Sequence, residues 1–463
     1  MEEAYQIKSG VYLVQGASRG AILDTCTGLV YSVNQQACEV CQYLVEDEPF
    51  WRTLISMGLA EPVQELKHHA TQAPMAAEQL KFIWLEIVTE RCNQQCIHCY
   101  TSSLLITAKN GALKTRAGRV SVSGLAADKP PPKMRYCDWR QVLEEARDLG
   151  CQACQFIGGE PFLYHGENGE SVLDLAGYAR SLGYSRVEIF TNGTLLTPAK
   201  IDRIKESGIK IAVSLYSDDP VVHDRITRTA GSHARTMTAL NRLKKAGVET
   251  RLETVVLRAN QDTIESTIAY RERMGFNGKK PDPLRPTGRG SDLNNQPDAF
   301  HLVKYGYKLD PNFKASELKI KHNQSGHPCL NGKLVVSENG DILPCIFYRD
   351  AVLGNYLEAD RLSRVLNSPE LQRTWHTTKD EILVCQDCEY RYVCFDCRPL
   401  AKTASPDGDL STAPNPRCTY NPYTGQWGDG VWKLDQKGKP YYDQSLASTI
   451  QEVRQARHRS ARV

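Results

Sequence analysis

The chain has 463 residues, more than one hydrophobic core accommodates, so we expect two to four domains. Its 57 basic and 54 acidic residues give a net charge of +3, which is too balanced to indicate a nucleic-acid partner. No apolar run reaches the roughly 20 residues that span a bilayer, and residues 1–10 lack both a basic and an apolar signal region. We therefore expect a cytoplasmic protein without a membrane partner, whose 16 cysteines are better suited to holding metal than to forming disulfides.

The first 75 residues form a separate predicted unit. Short strand-like runs with glycine turns precede two helical patterns, with strands at 10–15, 20–24 and 28–32 and helices at 33–45 and 50–57. This order resembles the winged-helix recognition element of enzymes that modify ribosomally synthesised peptides (RiPPs). The resemblance implies that the unit binds the leader of a precursor peptide by adding it as a strand. A purely structural cap is the alternative.

Strand and helix patterns alternate through the middle of the chain. The predicted strands are 81–88, 151–157, 186–190, 210–215 and 248–257, and the predicted helices are 138–149, 171–182, 198–207, 234–246 and 261–274. Such alternation predicts an α/β fold with a parallel sheet, in which functional residues lie at the carboxyl ends of the strands.

Unusual motifs follow three of these strands. The first strand is followed by Cys92-x3-Cys96-x2-Cys99, the second by Gly158-Gly159-Glu160 and the third by Thr191-Asn192-Gly193. Three thiolates at this spacing can hold one corner of a [4Fe–4S] cube and leave its fourth iron without a protein ligand. A zinc site is the alternative, although structural zinc takes four protein ligands and no fourth is evident here.

With these motifs the chain resembles a radical S-adenosylmethionine (SAM) enzyme from residue 81 to about residue 425. The resemblance implies a partial (β/α)6 TIM-type barrel in which Cys92, Cys96 and Cys99 ligate the cluster. The open iron then binds the amino and carboxylate groups of SAM. An electron from the cluster cleaves SAM to methionine and a 5′-deoxyadenosyl radical, which abstracts hydrogen from the substrate.

The same resemblance assigns the SAM contacts. The residues that it implies for the amino group, the ribose and the other polar groups are Gly158, Gly159, Glu160, Thr191, Asn192 and Ser214. Arg228 is the candidate partner of the SAM carboxylate, with Arg225 as a competing choice. His98 stands where the family has an aromatic residue against the adenine, and its ring can still stack.

The last seven cysteines form a second group. They are Cys329, Cys345, Cys385, Cys388, Cys394, Cys397 and Cys418. Their order resembles the SPASM domain of radical SAM enzymes, with C-x2-C where C-x3-C is usual at the end of the middle run. The resemblance implies two auxiliary [4Fe–4S] clusters, so three clusters in all; zinc knuckles are the alternative.

By this resemblance each auxiliary cluster has its own cysteine set. Cys385, Cys388, Cys394 and Cys418 hold one, whereas Cys329, Cys345 and Cys397 hold the other. The second set lacks a fourth cysteine, and only His322 and His327 lie just upstream of it. It therefore predicts an open iron for a substrate thiolate or amide, or a ligand other than cysteine. The remaining cysteines are predicted to be core thiols, namely Cys26, Cys38, Cys41, Cys137, Cys151 and Cys154.

We expect four parts in the chain. These are a peptide-binding domain at 1–75, the barrel at 76–300 with a basic insertion at 101–135, the auxiliary cluster domain at 301–425, and a tail at 426–463.

The leading functional prediction is an oxidoreductase of RiPP biosynthesis. It would modify a precursor peptide, most directly by an oxidative thioether or carbon–carbon crosslink, and would take electrons from an external donor such as flavodoxin or ferredoxin. Epimerisation, backbone excision, formylglycine formation in sulfatases and maturation of a small-molecule cofactor remain open. A non-catalytic iron–sulfur electron carrier or scaffold is the alternative of another class.

Overall fold

The computed structural model describes residues 4–64, 79–105, 132–306, 312–358, 361–405, 412–436 and 439–460. Most of the predicted basic insertion therefore lies outside the described residues. The chain divides into two compact units. The terminal unit comprises Met1–Ala77, Tyr307–Asn331 and Arg373–Val463, and the barrel unit comprises Glu78–Gly306 and Gly332–Gln372. In the described part of the chain, every helix is too short or too polar to cross a membrane.

The terminal unit begins with a small antiparallel sheet. Its N-terminal elements are β1 Ala4–Ile7, β2 Val11–Gln15, β3 Arg19–Asp24, β4 Val30–Asn34, α1 Gln35–Cys41, α2 Glu48–Ser56 and β5 Ala60–Val63. Strands β2, β3 and β4 form the sheet, and β1 pairs with β5. Helix α1 is shorter than the predicted 33–45 because β4 includes Val33 and Asn34. The Asn34 side chain then caps α1 by accepting from Ala37 N at 2.8 Å.

The barrel unit alternates strands and helices as the sequence predicts. Its strands up to residue 306 are β6 Phe82–Val88, β7 Arg91–Cys92, β8 Leu104–Leu105, β9 Ala153–Gly158, β10 Arg186–Thr191, β11 Lys210–Ser214, β12 Thr250–Glu253, β13 Val255–Val256 and β14 Asp282–Pro283. Its helices in the same range are α3 Tyr136–Asp148, α4 Val172–Ser181, α5 Pro198–Glu206, α6 Pro220–Thr227, α7 Ser232–Ala246, α8 Ile264–Arg273 and α9 Ala299–Gly306.

Short elements follow residue 306. The helices are α10 Glu317–Ser325, α11 Leu362–Leu366, α12 Pro369–His376, α13 Arg398–Ala404 and α14 Gln444–Ser460. The strands are β15 Lys333–Ser337, β16 Asp341–Leu343, β17 Gly354–Asn355, β18 Tyr420–Asn421, β19 Gln426–Trp427, β20 Trp432–Leu434 and β21 Pro440–Tyr442.

One eight-stranded sheet organises the barrel unit. Its strand order is β12-β11-β10-β9-β6-β15-β16-β17, and the pairs from β12 to β15 are parallel. The predicted strand 248–257 is divided, because β12 ends at Glu253 and β13 pairs only with β14. At the break, the Thr254 hydroxyl donates to Leu215 O at 2.6 Å and so replaces a ladder bond. The sheet therefore brings the ends of β6, β9, β10 and β11 to one edge.

The cysteines predicted to be core thiols divide into two groups. Cys38, Cys41, Cys151 and Cys154 are buried, as predicted. The prediction is wrong for Cys26 and Cys137, which are exposed. Cys26 follows the end of β3 in a turn, and Cys137 lies on the solvent-facing side of the first turn of α3. Proximity to a predicted element did not determine which way these two side chains face.

Candidate active site

A cavity of about 340 Å³ lies in the barrel unit where the motifs converge. Its walls include all three cysteines of the first motif, both glycines of the second and the polar pair of the third. Of the residues predicted to bind cluster or SAM, the cavity is lined by Cys92, Cys96, Cys99, His98, Gly158, Gly159, Thr191, Asn192 and Ser214. Residues far apart in the chain are thus brought to the carboxyl edge of the parallel sheet, where ligands bind in such folds.

The cysteine loop after β6 presents thiols that are withdrawn from solvent. Cys92 is 7% exposed, and burial raises its pKa. Burial also raises the pKa of Cys96 to about 12, and the neighbouring Cys99 thiol adds to the shift. As free groups they stay protonated at neutral pH, so binding as metal thiolates would release their protons. Among the described residues, no three His, Cys, Asp or Glu side chains are placed to share a single metal ion.

The backbone of this loop is clamped by the segment 288–295. Arg289 Nε donates to Cys96 O and Nη1 donates to Ser103 O, both at 2.8 Å. Its backbone N–H donates to Cys99 O at 3.0 Å, and Asn295 Nδ2 donates to Ile97 O at 3.1 Å. Four loop carbonyls are therefore satisfied by one segment, which leaves the thiols as the groups free to bind.

The opposite side of the loop is held by the end of α6. Gln95 N donates to Thr227 O and Ile97 N donates to Ile226 O, both at 3.0 Å. Arg228 follows with φ of +49°, a left-handed conformation that ends the helix. The HDRITRT segment thus supports the cysteine loop through its backbone.

Gly158 and Gly159 allow the end of β9 to lie against β6 and the cysteine loop. A Cβ on Gly158 would lie 2.1 Å from Val88 O, and Gly158 has φ of +137°. A Cβ on Gly159 would lie 2.0 Å from Arg91 O. No side chain fits at either position, so the glycines are required for the close backbone approach.

Glu160 is fully buried and joins two strand ends. Its Oε1 accepts from Thr191 Oγ1 at 2.7 Å and from Phe162 N at 3.2 Å, and its Oε2 accepts from Asn192 N at 3.0 Å. Burial raises its pKa, and these hydrogen bonds oppose the shift. Because a carboxylate has about four acceptor positions, one position on Oε2 remains.

Asn192 continues this network towards the cysteine loop. Its Nδ2 donates to Asn93 Oδ1 at 2.7 Å, and its Oδ1 accepts from Thr194 N at 2.9 Å. The end of β10 is therefore hydrogen-bonded directly to the residue after Cys92.

His98 and Tyr216 form an aromatic wall. Their ring centroids lie 4.5 Å apart in an edge-to-face arrangement. Burial, with the nearby positive charge of Arg289, lowers the pKa of His98 to about 4, so its ring is neutral at physiological pH. A neutral imidazole can stack on a flat ligand, and the contact of His98 with the adenine stays a prediction.

The arginines near the cavity differ from those that the sequence suggested. Neither Arg228 nor Arg225 is among the lining residues, and Arg225 Nη2 donates to Ala259 O at 3.0 Å. Arg285 and Arg289 do line it. Arg289 Nη2 is buried without a hydrogen-bond partner among the described residues. Two arginines after the last barrel strand were visible in the sequence, but nothing there indicated that one would reach the cysteine loop.

The cavity lining also includes two polar residues and one aromatic residue that sequence reasoning missed. These are Gln155, Glu253 and Phe190. Beneath them, Arg251 binds both oxygens of the buried Glu188 carboxylate, with Nε at 3.0 Å and Nη2 at 2.8 Å. Alternate positions of β9, β10 and β12 face the interior, a period-two signal that could have identified these charges.

The C-terminal cysteines fall in different units. Cys329, Cys385, Cys388, Cys394, Cys397 and Cys418 belong to the terminal unit, and Cys345 belongs to the barrel unit. Within the terminal unit, Cys385 interacts electrostatically with Cys418 and Cys394, and Cys388 interacts with Cys418. These pairs lie within electrostatic range of each other, and the assignment of all four cysteines to one auxiliary cluster stays a prediction.

His327 is one of the two histidines upstream of Cys329, and both of its ring nitrogens are hydrogen-bonded within the terminal unit. Its Nδ1 accepts from the backbone N–H groups of Cys329 and Leu330, each at 3.0 Å. Because Nδ1 accepts, Nε2 carries the proton and donates to Asp396 at 3.1 Å. Neither nitrogen of His327 has a lone pair left for iron.

Comparisons with known proteins agree with the motifs. Residues 87–270 match the model of the radical SAM superfamily, and residues 329–389 match SPASM, an iron–sulfur cluster-binding domain. The AdoMet-dependent heme synthase of Methanosarcina barkeri is 24% identical over 72% of this chain and 95% of its own. The antilisterial bacteriocin subtilosin biosynthesis protein AlbA of Bacillus subtilis is 24% identical over 67% of this chain and 65% of its own.

A solved structure has the same fold. It is that of Streptococcus suis SuiB bound to precursor peptide SuiA, with a TM-score of 0.53 and 13% identity over 89% of this chain and 99% of SuiB. The chain is a radical SAM enzyme with a SPASM domain. Its fold and domains imply SAM and [4Fe–4S] clusters as cofactors.

The residues of the cavity fit these cofactors. The lining includes three thiols, of which Cys92 is buried and Cys96 and Cys99 are partly buried, together with the backbone of the Gly158–Gly159 pair. Gln94 Nε2, His98 Nδ1 and Arg289 Nη2 are buried and lack hydrogen-bond partners among the described residues. Buried polar atoms of this kind are normally satisfied, so a polar ligand in the cavity accounts for them.

Proposed function

We propose that this enzyme installs an oxidative thioether or carbon–carbon crosslink in a ribosomally synthesised precursor peptide. The N-terminal unit would bind the leader of that peptide, and a flavodoxin or ferredoxin would supply electrons. Three [4Fe–4S] clusters would be held by the ten cysteines at 92, 96, 99, 329, 345, 385, 388, 394, 397 and 418. The name of the Bacillus subtilis relative, a bacteriocin biosynthesis protein, supports a peptide substrate.

The observation that carries the leader-binding proposal is the open edge of β4. Strand β4 pairs with β3, and no described strand pairs with its other edge. Asp24 N donates to Leu29 O at 3.0 Å. Because hydrogen-bonded pairs alternate in an antiparallel ladder, Tyr31 and Val33 bond to β3 and Ser32 N–H points to the open edge. An extended peptide could pair with this edge.

The chain's own residues would prepare the cavity for the reaction. When bound, SAM and its cluster would supply hydrogen-atom abstraction from an unactivated C–H bond. The clamp at 288–295 would fix the cysteine loop, and Glu160, Thr191 and Asn192 would hold the strand ends that bind SAM. His98 would lie against the adenine. Arg228 remains the candidate for the SAM carboxylate from the sequence, whereas Arg285 and Arg289 are the arginines on the cavity wall.

Crosslink formation removes two hydrogens from the peptide. One leaves as a hydrogen atom, and the other leaves as a proton and an electron. The auxiliary cluster sites of the SPASM domain would take that electron, and an open iron near Cys329 could hold a substrate thiolate.

A second candidate is the maturation of a small-molecule cofactor. Three heme synthases at 24–25% identity, each matching 72% of this chain, favour it. This candidate needs no leader-binding edge, so peptide binding to the N-terminal unit separates the two.

The test is peptide binding by the full-length enzyme and two variants. The probes are fluorescein-labelled peptides encoded by small reading frames that flank the gene. Ser32→Pro removes the outward N–H, which an edge strand tolerates, together with the hydroxyl that accepts from Arg19 Nε at 3.1 Å. It should weaken binding of the true precursor at least about tenfold. Ser32→Ala is the control and should bind like the native chain.

Either of two results counts against the proposal. If no flanking peptide binds the native enzyme, the peptide substrate is wrong. If Ser32→Pro binds as tightly as the native chain, the leader does not pair with β4.

A further inference from the structure

Lys379 is a buried lysine in the terminal unit that the reaction described above does not use. Lys379 is only 2% exposed, and its Nζ donates to Phe395 O at 3.0 Å. A carbonyl oxygen is a neutral partner. An ammonium group that is withdrawn from water requires a nearby negative charge, because its removal from water costs on the order of several kcal/mol.

Asp396, the carboxylate that interacts electrostatically with Lys379, is committed to other partners. Asp396 receives Arg398 Nε at 2.5 Å and Nη2 at 3.0 Å. It also accepts from His327 Nε2 at 3.1 Å and from Asn415 Nδ2 at 3.1 Å. Asp396 and Arg398 therefore neutralise each other, and the charge of Lys379 is left over.

The other groups beside Lys379 are thiols. Cys394 and Cys385 are its strongest electrostatic neighbours, and Cys394 also hydrogen-bonds to it. Cys394 directly precedes Phe395, the residue whose carbonyl binds Nζ. Both cysteines belong to the set of four assigned to one auxiliary cluster. As protonated thiols they are neutral, whereas as cluster ligands they are negatively charged.

We propose that Lys379 is the counter-charge of this auxiliary cluster and raises its reduction potential. The proposal rests on the cluster assignment in the proposed function. A [4Fe–4S] cube with four thiolates carries a net charge of about −2 when oxidised and about −3 after it gains one electron. A fixed positive charge stabilises the reduced form more than the oxidised form. Lys379 thus favours electron transfer from a substrate radical to this cluster and acts as a positioning residue.

The test is an anaerobic redox titration followed by electron paramagnetic resonance. The full chain carries C92A/C96A/C99A, so that only auxiliary clusters contribute to the signal. Lys379→Met should lower the midpoint potential of one cluster by at least about 59 mV, which is a tenfold change in its reduced-to-oxidised ratio for one electron. Lys379→Arg keeps the charge and should restore the native potential.

Lys319→Met is the matched control. Lys319 Nζ also donates to a carbonyl beside Cys394, that of Val393, but the residue is exposed. This variant should leave the potential unchanged because solvent screens the charge.

The outcomes separate a charge effect from a packing effect. If Lys379→Met loses the cluster and Lys379→Arg retains it, the counter-charge is supported. Equal potentials in the native chain and Lys379→Met overturn the proposal, as does cluster loss in both variants. Absence of any auxiliary cluster in the native chain also overturns it. A correct potential shift without peptide crosslinking would leave this proposal standing and reject the proposed function.

Discussion

Single residues hold the cysteine loop in the shape in which its three cysteines line the cavity. Arg289 binds three of its carbonyls, although it lies almost two hundred residues away in the chain (193 from Cys96). Gly159 gives the loop room by lacking a side chain. Both residues act on the backbone of the loop, so their replacement should affect cluster binding before it affects the fold of the barrel.

Replacement of Arg289 by methionine should weaken the SAM-binding cluster. The variant loses two charge-assisted hydrogen bonds to the loop, each worth about 1.5–3 kcal/mol. Iron release to a chelator from this cluster should therefore be at least about tenfold faster. Arg225→Met, which also loses a bond to a carbonyl, is the control and should release iron at the native rate. Equal rates for Arg289→Met and the native chain would show that the clamp is dispensable.

Replacement of Gly159 by alanine should prevent cluster assembly. The added Cβ would lie 2.0 Å from Arg91 O. Arg91 is fixed by its pairing with Leu104, and Gly159 N is hydrogen-bonded to Val88 O. Overpacking of this kind costs about 1–3 kcal/mol and moves the loop. Iron and sulfide analysis after reconstitution measures the loss. Gly177→Ala is the control, since its Cβ meets nothing within 4 Å and should not change cluster content. Full cluster content in Gly159→Ala would contradict the account.

At the scale of elements, charges under the cavity tie the strands of the sheet together. Glu188 on β10 is 2% exposed and receives two bonds from Arg251 on β12. Strand β11 lies between β10 and β12, so the pair spans a neighbouring strand. Burial acts to raise the pKa of Glu188, but Arg251 and Arg186 outweigh it and hold the pKa below its usual range.

Replacement of Glu188 by glutamine should destabilise the barrel unit by about 3 kcal/mol, because Arg251 loses its main anionic partner. A carboxyl group whose pKa is lowered by folding stabilises the folded state at pH values above its unfolded pKa of about 4.3. This stabilisation is lost as the pH falls through the lower pKa of the folded state. Urea unfolding of the metal-free chain at pH 7 and at lower pH measures both effects. Glu188→Gln should show a smaller loss of stability on acidification than the native chain.

Glu249→Gln is the control for this experiment. Glu249 pairs with Lys210 at 2.7 Å, but its side chain is 61% exposed. It should change stability by less than about 1 kcal/mol. If the two variants have equal stability, the buried network does not support the sheet.

The element pattern shows where sequence reasoning succeeds. Predicted strands and helices of the barrel unit match β6, β9, β10 and β11 and helices α3, α4, α5, α7 and α8 within a few residues, because each has a strong local period. Helix α6 was not predicted. Motifs placed at strand ends then meet in one cavity without further information. The break after Glu253 depends on a tertiary bond from Thr254 to Leu215, so the local pattern could not reveal it.

Long-range contacts explain the rest of the differences. Arg289 and Lys379 have no periodic signal, since the groups that they contact are loop carbonyls and thiols elsewhere in the chain. Arg228 was inferred from a resemblance, and the structure uses its backbone to end α6. The exposure of Cys26 and Cys137 depends on turn geometry and helix phase, which composition does not specify.

At the scale of the whole molecule, each compact unit is built from several separate stretches of the chain. The segment Tyr307–Asn331, with Cys329, belongs to the terminal unit, whereas Gly332–Gln372, with Cys345, belongs to the barrel unit. The predicted boundary at residue 301 between barrel and auxiliary domain remains a prediction.

Iron content tests the proposed number of clusters. The reconstituted native chain should hold about 12 iron atoms if each of three sites carries a four-iron cube. The C92A/C96A/C99A variant should hold about eight and should lose SAM binding, measured by equilibrium dialysis. About four iron atoms in the native chain would contradict the auxiliary clusters.

The most direct test of the account is one anaerobic reaction. The reconstituted native enzyme is incubated with SAM, dithionite and the flanking peptide that binds it, and both products are measured by mass spectrometry. The account predicts 5′-deoxyadenosine together with a peptide lighter by two hydrogen atoms. Absence of 5′-deoxyadenosine with an intact cluster would contradict the enzyme assignment, and 5′-deoxyadenosine with an unchanged peptide would contradict the crosslinking function.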